Sequence, residues 1–570
     1  MLGFWKEERG GILPFVVVVT GAVILMGALA VNMVRVEHRR STTQSVLDIC
    51  VLNAAAQRQA LAPRTVLDDC LAKHDFEGVI TTFSAQTGRI KSVTATATSD
   101  VGSMFLSTPE TYSQTVSSTA TEGRTNLEIV LALDVSNSMG AVINFVSAFD
   151  AMKSAANTFV ETMLSGDDGG RVSIAVVPYT THVNLGADLA AQFTLTGVPA
   201  VYPFGPDIAE MRCVDPPAGS FTRTALPSAQ PMKAVPFVDI DGSTNQGTLS
   251  NPAPYVSPTN ATTAVARVQS APCVMWRDLA FAKSNIVRLP DFTTTATDPV
   301  PRTVAERTDA LKAKINGLRG TGETSIHLGM RWATALLDPE TRPVFRRLAD
   351  AGRMPAAMGD RPLDFQDQSA IKVIVLMSDG VNSSEFRLKE QYETGPSPYY
   401  LGNDGNYSWF NANRPGENKF WVPHTGTWQA TAWQNATNSG PAARQLDYQE
   451  LWRRLKVSYV AWQFHARSVS LENTAAGRTA RSTANIAALA EFRTPIEATW
   501  KDQRLAEVCT AARAQGIYVY TIAFDTGLPV SALLPSCATT PAQHYTSTPE
   551  QIASAFAAIA LHITTLQLTQ

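Results

Sequence analysis

The sequence predicts an α/β protein: a mainly parallel sheet with helices on both faces, interrupted by two large insertions and preceded by one N-terminal transmembrane helix. Three observations carry that reading. Residues 12–34 hold no charged side chain and are dominated by Val, Ile, Leu, Ala and Gly. Short apolar runs at 129–133, 172–177, 371–377 and 517–524 have the composition of strands buried on both faces. Helical stretches separate these runs, and strands alternating with helices imply a parallel sheet covered on both sides.

The first element is the membrane segment. At about 1.5 Å per residue, 12–34 can cross a hydrocarbon layer of about 30 Å. Pro14 falls in the first turn, where its missing N–H is harmless. A cleaved signal peptide would have a shorter apolar region ending at a small-residue cleavage site. This run is longer and leads straight into a polar helix, so we expect an uncleaved, single-pass anchor after a tail at 1–11. Lys6 and Arg9 precede the span, whereas Arg35, Arg39 and Arg40 follow it. The positive-inside count therefore favours a cytoplasmic bulk.

The cysteines point the other way. Six of them form three neighbourhoods: Cys50 with Cys70, Cys213 with Cys273, and Cys509 with Cys537. Sequential pairing is the simplest of the 15 possible connectivities. Disulfides would place the bulk in an oxidising compartment. None of the six lies in a C-x-x-C pair, which argues against a structural zinc site.

After the span, 42–62 reads as a helix with Leu47, Cys50, Val51, Ala54 and Ala55 on one face, and Pro63 ends it. A second helix over 66–74 would carry Cys70 back towards Cys50. Residues 75–125 are rich in Thr and Ser with alternating apolar positions, which suggests a few strands in a small spacer module. The main domain is expected over 126–565. Its helices fall at about 302–318, 325–337, 502–515 and 549–563, with another carrying Met152, Ala155, Ala156, Phe159, Val160 and Met163 on one face. The insertions are at about 185–301 and 381–500. The second holds seven of the ten Trp, including Trp409, Trp421, Trp428 and Trp452. Rings in such number build a subdomain core more often than a glycan- or peptide-binding surface. His424 and His465 show no metal-ligand spacing.

The chemistry concentrates at the strand ends. The first strand of the main domain ends in Asp134–Val135–Ser136–Asn137–Ser138, which delivers one carboxylate and two hydroxyls at alternate positions. Open parallel sheets bind ligands at the carboxyl ends of their strands. Thr324 lies in Gly320–Thr321–Gly322–Glu323–Thr324, just before a helix, and Asp379 follows the strand at 371–377. Two carboxylates and three hydroxyls form a hard oxygen set, suited to Mg2+ first and then to Mn2+ or Ca2+. Taken singly, each residue is an ordinary turn or cap residue.

Asp134, Ser136, Ser138, Thr324 and Asp379 match, one by one, the D-x-S-x-S run, the Thr and the Asp of the metal-ion-dependent adhesion site of the von Willebrand factor A family. The chain resembles that family, and the resemblance implies a Rossmann-like fold. It also implies that the two serines and the threonine reach the ion directly, the two aspartates often act through water, and an acidic group of a partner completes the shell. Glu7–Glu8–Arg9–Gly10–Gly11 before the span, Gln44 and Asp48 behind it, Cys509, the 520–524 strand, Cys537 and the closing helix narrow the match. With these features the chain looks like the TadG-like proteins of the tight-adherence (Flp) pilus assembly machinery. That resemblance implies an anchor in the bacterial inner membrane and a periplasmic bulk.

The function expected is non-enzymatic: binding of a pilus or envelope protein with an acidic group through the metal. The alternative is a surface adhesin for an external protein or glycan. A Mg2+-dependent phosphohydrolase is a third class, but the chain has no Walker A run, no G-x-S-x-G elbow and no nucleophile with a paired base. A net charge of −3 gives nucleic-acid binding no electrostatic support. An apolar share of 45% is enough for a sizeable core.

Overall fold

The computed structural model describes residues 12–569 except 57–58, 60, 87–89, 105–110, 124–125, 166, 168–170, 198–211, 236–237, 240–286, 289–302, 319–321, 355, 368, 456, 526 and 528–531. The expectations for the tail at 1–11 and for Cys273 lie outside these residues. The chain divides into two compact units, 1–125 and 126–570.

In the first unit, helix α1 runs without a break from Ile12 to Ala55, 44 residues. The sequence reading placed a span and a separate helix here. They are continuous because residues 35–55 contain neither Gly nor Pro, and charged helix formers carry the turn from apolar to polar. Among the described residues, α1 is the one helix long and apolar enough to cross a membrane. Pro63 does not merely end a helix. It opens α2 (Pro63–Lys73) at the first helical position, where proline costs no hydrogen bond. Cys50 and Cys70 are disulfide-bonded with Cα atoms 5.4 Å apart. Strands β1 (Val79–Gln86), β2 (Ile90–Gly102) and β3 (Thr111–Gly123) form an antiparallel meander. Val93, Ala95, Ala97 and Val116 from one face of it join Leu47, Cys50, Val51 and Leu67 in the unit's core. Asn32 is buried, donating to Ser103 Oγ at 3.1 Å and accepting from the Met104 N–H at 3.1 Å.

The second unit is built on β4 (Asn126–Asp134), α3 (Ala148–Leu164), β5 (Val172–Tyr179), β6 (Val287–Arg288), α4 (Val304–Gly317), α5 (Ile326–Ala335), β7 (Ala370–Ser378), α6 (Ala498–Ala514), β8 (Tyr518–Phe524), β9 (His544–Ser547) and α7 (Ile552–Thr569). The strand order is β6-β5-β4-β7-β8-β9, with five strands parallel and β6 antiparallel at the edge. All nine residues of β4 are buried, as a strand covered on both faces requires. Its alternate side chains serve two cores. Ile129, Leu131 and Leu133 pack with α3, α4 and α7, where the Phe159 and Phe556 rings meet at 5.7 Å. Val130 and Ala132 pack with α5 and α6, among Trp332, Leu505 and Val508.

Lys372, the one charge in the apolar run of β7, sits opposite Glu128 of β4 and donates to it at 2.6 Å. Glu128 also receives the guanidinium of Arg361 at 3.3 Å and the Leu363 N–H at 3.0 Å. A buried carboxylate is tolerated in such a core only when paired in this way. Cys509 of α6 is bonded to Cys537 with Cα atoms 5.1 Å apart.

The insertions have structure of their own. From the second comes a five-stranded antiparallel sheet in the order Thr427–Gln429, Phe420–Val422, Tyr407–Phe410, Pro396–Leu401, Arg444–Asp447. Tyr399, Trp409, Trp421 and Trp428 sit opposite one another across four of its strands. Tyr399 and Trp421 are buried with Trp452, Phe464 and Phe492, while Trp409 and Trp428 pack against that cluster. These rings are the core of the insertion. Glu385–Leu388 pairs both with Val238–Asp239 of the first insertion and with Arg493–Ile496. The first insertion also supplies β6, an edge strand that the sequence reading did not anticipate.

Candidate metal centre

The order β6-β5-β4-β7-β8-β9 reverses between β4 and β7. In doubly wound sheets the ligand crevice lies at this switch point, outside the carboxyl ends of the strands. Asp134 is the last residue of β4 and Asp379 immediately follows β7. The two carboxylates therefore reach the crevice from neighbouring strands, and both are fully buried.

Hydroxyls fill the space between them. Ser138 Oγ donates to Asp379 Oδ1 at 2.8 Å, and Ser136 and Ser138 share a hydrogen bond at 2.8 Å. Asp134 Oδ1 accepts from the Ser136 N–H at 2.9 Å, and its Oδ2 accepts from Ser378 Oγ at 2.7 Å. Thr324 stands near Gly380, the residue after Asp379: a Cβ added to Gly380 would lie 4.0 Å from its Oγ1.

Three loops hold the set in place, and each is tied to the other two. The Asn137 N–H donates to Gly322 O at 2.9 Å, joining the serine run to the threonine loop. The Ser383 N–H donates to Thr324 O at 3.0 Å, joining the threonine loop to the one after Asp379. The Ser138–Asp379 bond closes the triangle. Gly322 itself has φ +74°, a conformation strained for any residue with a Cβ, and a Cβ there would press on Thr180.

Burial is the first cause that pushes the Asp134 carboxyl up, to about 7, and the charge of Asp379 adds to it against the hydrogen bonds from Ser136 and Ser378. Two buried carboxylates facing one another through hydroxyls form a site short of positive charge. A dication meets that need, and the donors are all hard oxygens. The residues fit a Mg2+-class ion. Ser138 is partly exposed and Asn137 and Gly140 are exposed, so the mouth of the site is open to solvent.

Ser378, Asn382 and Ser383 also serve the site and were not singled out from the sequence. Asn382 Oδ1 accepts the Ile326 N–H at 2.8 Å at the start of α5, and its Nδ2 donates to Asp502 at 2.8 Å. The only local signal was the Ser-Asp-Gly string; the other contacts span 56 residues or more. Behind Thr324, Lys501 donates to Ser325 Oγ at 2.8 Å and to Glu385 at 2.9 Å, all three buried. Burial would raise the Glu385 carboxyl, but Arg387 and Lys501 override it and hold it below its ordinary value.

The other candidates are placed as follows. His465 shares a 2.7 Å hydrogen bond with the Tyr399 hydroxyl and is pushed down to about 4 by burial. His424 packs its ring edge-on against Trp433. Neither histidine is part of the carboxylate site.

No family model matches the chain, and no curated protein matches it. Among solved structures, the von Willebrand factor domain of the type V pili tip protein Mfa5 from Porphyromonas gingivalis is 14% identical. Its TM-score is 0.29, over 78% of this chain and 96% of that one. The adhesive tip pilin GBS104 of Group B Streptococcus agalactiae is 11% identical, with a TM-score of 0.28 over 77% of this chain and 100% of that one. The pilus adhesin SpaC of Lactobacillus rhamnosus GG is 10% identical, with a TM-score of 0.27, and this chain spans only 34% of its length. By its own sheet order and by the loops at the carboxyl edge of that sheet, the α/β core of this chain is von Willebrand factor A-like.

Proposed function

We propose that this chain is a membrane-anchored envelope protein that binds a protein partner through a divalent cation held by Asp134, Ser136, Ser138, Thr324 and Asp379. The observation that supports it is the closed set of hydrogen bonds tying three separate loops around two buried carboxylates. A hard cation in such a set keeps a coordination position for an outside oxygen, and an acidic side chain of a partner is the natural ligand. Binding suffices as a function, with no catalytic step. Mg2+ is the first choice of ion, with Mn2+ or Ca2+ as alternatives. In this reading α1 is the single-pass anchor in the bacterial inner membrane and the bulk is periplasmic. The disulfides Cys50–Cys70 and Cys509–Cys537 support an oxidising compartment.

The partner in the leading version is a component of a tight-adherence pilus or of the envelope. In the second version the chain is itself a surface adhesin for an external protein or glycan. The test is a pull-down with the intact chain and with Ser136→Ala, with and without chelator. A partner lost under both perturbations supports the metal-dependent reading, and identical partner sets remove the metal from it. An Asp379→Ala strain that still assembles pili but no longer attaches to surfaces would favour the adhesin.

A further inference from the structure

Immediately after the serine run the chain makes a small hairpin. Val142–Ile143 pairs with Val146–Ser147, and the base is closed by the Ala148 N–H donating to Ala141 O at 3.0 Å. The turn residues are Asn144 at φ +48° and Phe145 at φ +66°. A two-residue loop with both φ values positive is the type I′ turn, whose second position is normally glycine. Asparagine tolerates the left-handed region. A phenylalanine there is a genuine outlier.

No packing among the described residues offsets that strain. Phe145 is 102% exposed, and Val142 in the same hairpin is 66% exposed. An aromatic ring held out into water on a strained backbone breaks the local rule and the burial rule together. Such sites occur where strain serves function.

The hairpin's position gives it a role. Its base is joined to the metal loop, because the Ala141 N–H donates to Ser138 O at 3.0 Å. Its tip is held over the same edge of the sheet: Asn144 Nδ2 donates to Glu550 Oε1 at 3.1 Å, and Glu550 lies three residues beyond the carboxyl end of β9. At about 3.4 Å per residue, three residues separate tip from base by roughly 10 Å.

We infer that Phe145, supported by Val142, is a hydrophobic anchor for the same partner that places an acidic side chain on the metal. With the hairpin's own reach of roughly 10 Å setting the scale, the partner segment in this proposal carries an apolar side chain two to four residues from its Asp or Glu in an extended strand. This rests on the metal-site reading and adds to it a sequence preference in the partner.

The test is to pan the full-length chain, in detergent and Mg2+, against a peptide library with one fixed Asp and randomised flanks. Wild type, Phe145→Gly and Asp379→Ala are compared. Glycine suits the φ of position 145, so Phe145→Gly is expected to keep or raise the thermal midpoint and to keep Mg2+-dependent capture of Asp peptides. It should lose the enrichment for apolar residues two to four positions away by about thirtyfold, the scale of an aromatic hot spot. Asp379→Ala should lose the Asp selection. Unchanged apolar enrichment in Phe145→Gly, or no such enrichment in wild type, overturns the anchor. Apolar selection that depends on Phe145 but not on Asp or Mg2+ keeps the anchor and removes the metal reading. Capture of nothing by wild type overturns both.

Discussion

Replacing Asp379 by Asn should make the metal-free protein more stable while abolishing its response to Mg2+. In the wild type the Asp134 carboxyl rises from 3.8 to about 7, with burial as the first cause and the Asp379 charge as the second. A rise of about three pKa units corresponds to about 4 kcal/mol between the two protonation states. The folded value lies above the unfolded one, so the folded state holds the extra proton between them. The contribution of Asp134 to stability in chelator is therefore fully present below about pH 4 and is lost as the pH rises through about 7. Asn keeps the Oδ1 that accepts from Ser138 but removes the like charge. Asp379 is the smaller of the two raising causes, so Asp379→Asn should return about 1–2 kcal/mol near pH 7.5. Added Mg2+ should stabilise the wild type by about 2.7 kcal/mol at a hundredfold excess over its Kd, and the variant by far less. Guanidinium unfolding followed by tryptophan fluorescence, at about pH 5 and about pH 7.5 with chelator or Mg2+, reads all four states. The argument is refuted if Asp379→Asn is the less stable protein in chelator, or if wild-type stability in chelator does not change across that pH range.

Three further outcomes are expected. Glu128→Ala leaves Lys372 and Arg361 without their buried carboxylate and should destabilise the second unit by about 3–5 kcal/mol, measured as a shift in the guanidinium midpoint. Breaking Cys509–Cys537 with a double serine variant releases a 28-residue separation and should cost the second unit about 3–4 kcal/mol, measured as a shift in the guanidinium midpoint under oxidising conditions. Trp452→Ala removes a fully buried ring from the insertion's core and should cost about 3–5 kcal/mol there, while Mg2+ titration calorimetry stays unchanged because the ring is not part of the carboxylate site.

The elements legible in the sequence were those whose signal is local. The 129–133 run, with the Asp and two Ser behind it, is a buried strand followed by a loop of oxygen-bearing side chains, all within ten residues. The helices 304–317 and 498–514 were read to within a turn, the second one turn short at its start, because Glu497–Ala498–Thr499 carries no capping hydrogen bond to mark it. The continuous α1 was split in the sequence reading because its apolar character stops at Val34 although its helical geometry does not. The edge strand β6 was missed: two residues inside a Pro- and Thr-rich stretch show no period, and only pairing with β5 makes them a strand.

By itself the sequence determined the long apolar N-terminal helix, the parallel α/β alternation and the oxygen-bearing side chains in their order along the chain. These follow from hydrophobic period and residue chemistry within short windows. Only the tertiary structure decided which loops bind one another, through Asn137 to Gly322, Ser383 to Thr324 and Ser138 to Asp379. It also decided that Lys372 would be matched by Glu128 from another strand, and that Phe145 would stand in water at a position suited to glycine. Those outcomes depend on partners up to 244 residues apart, and on backbone angles that a side chain's identity argues against.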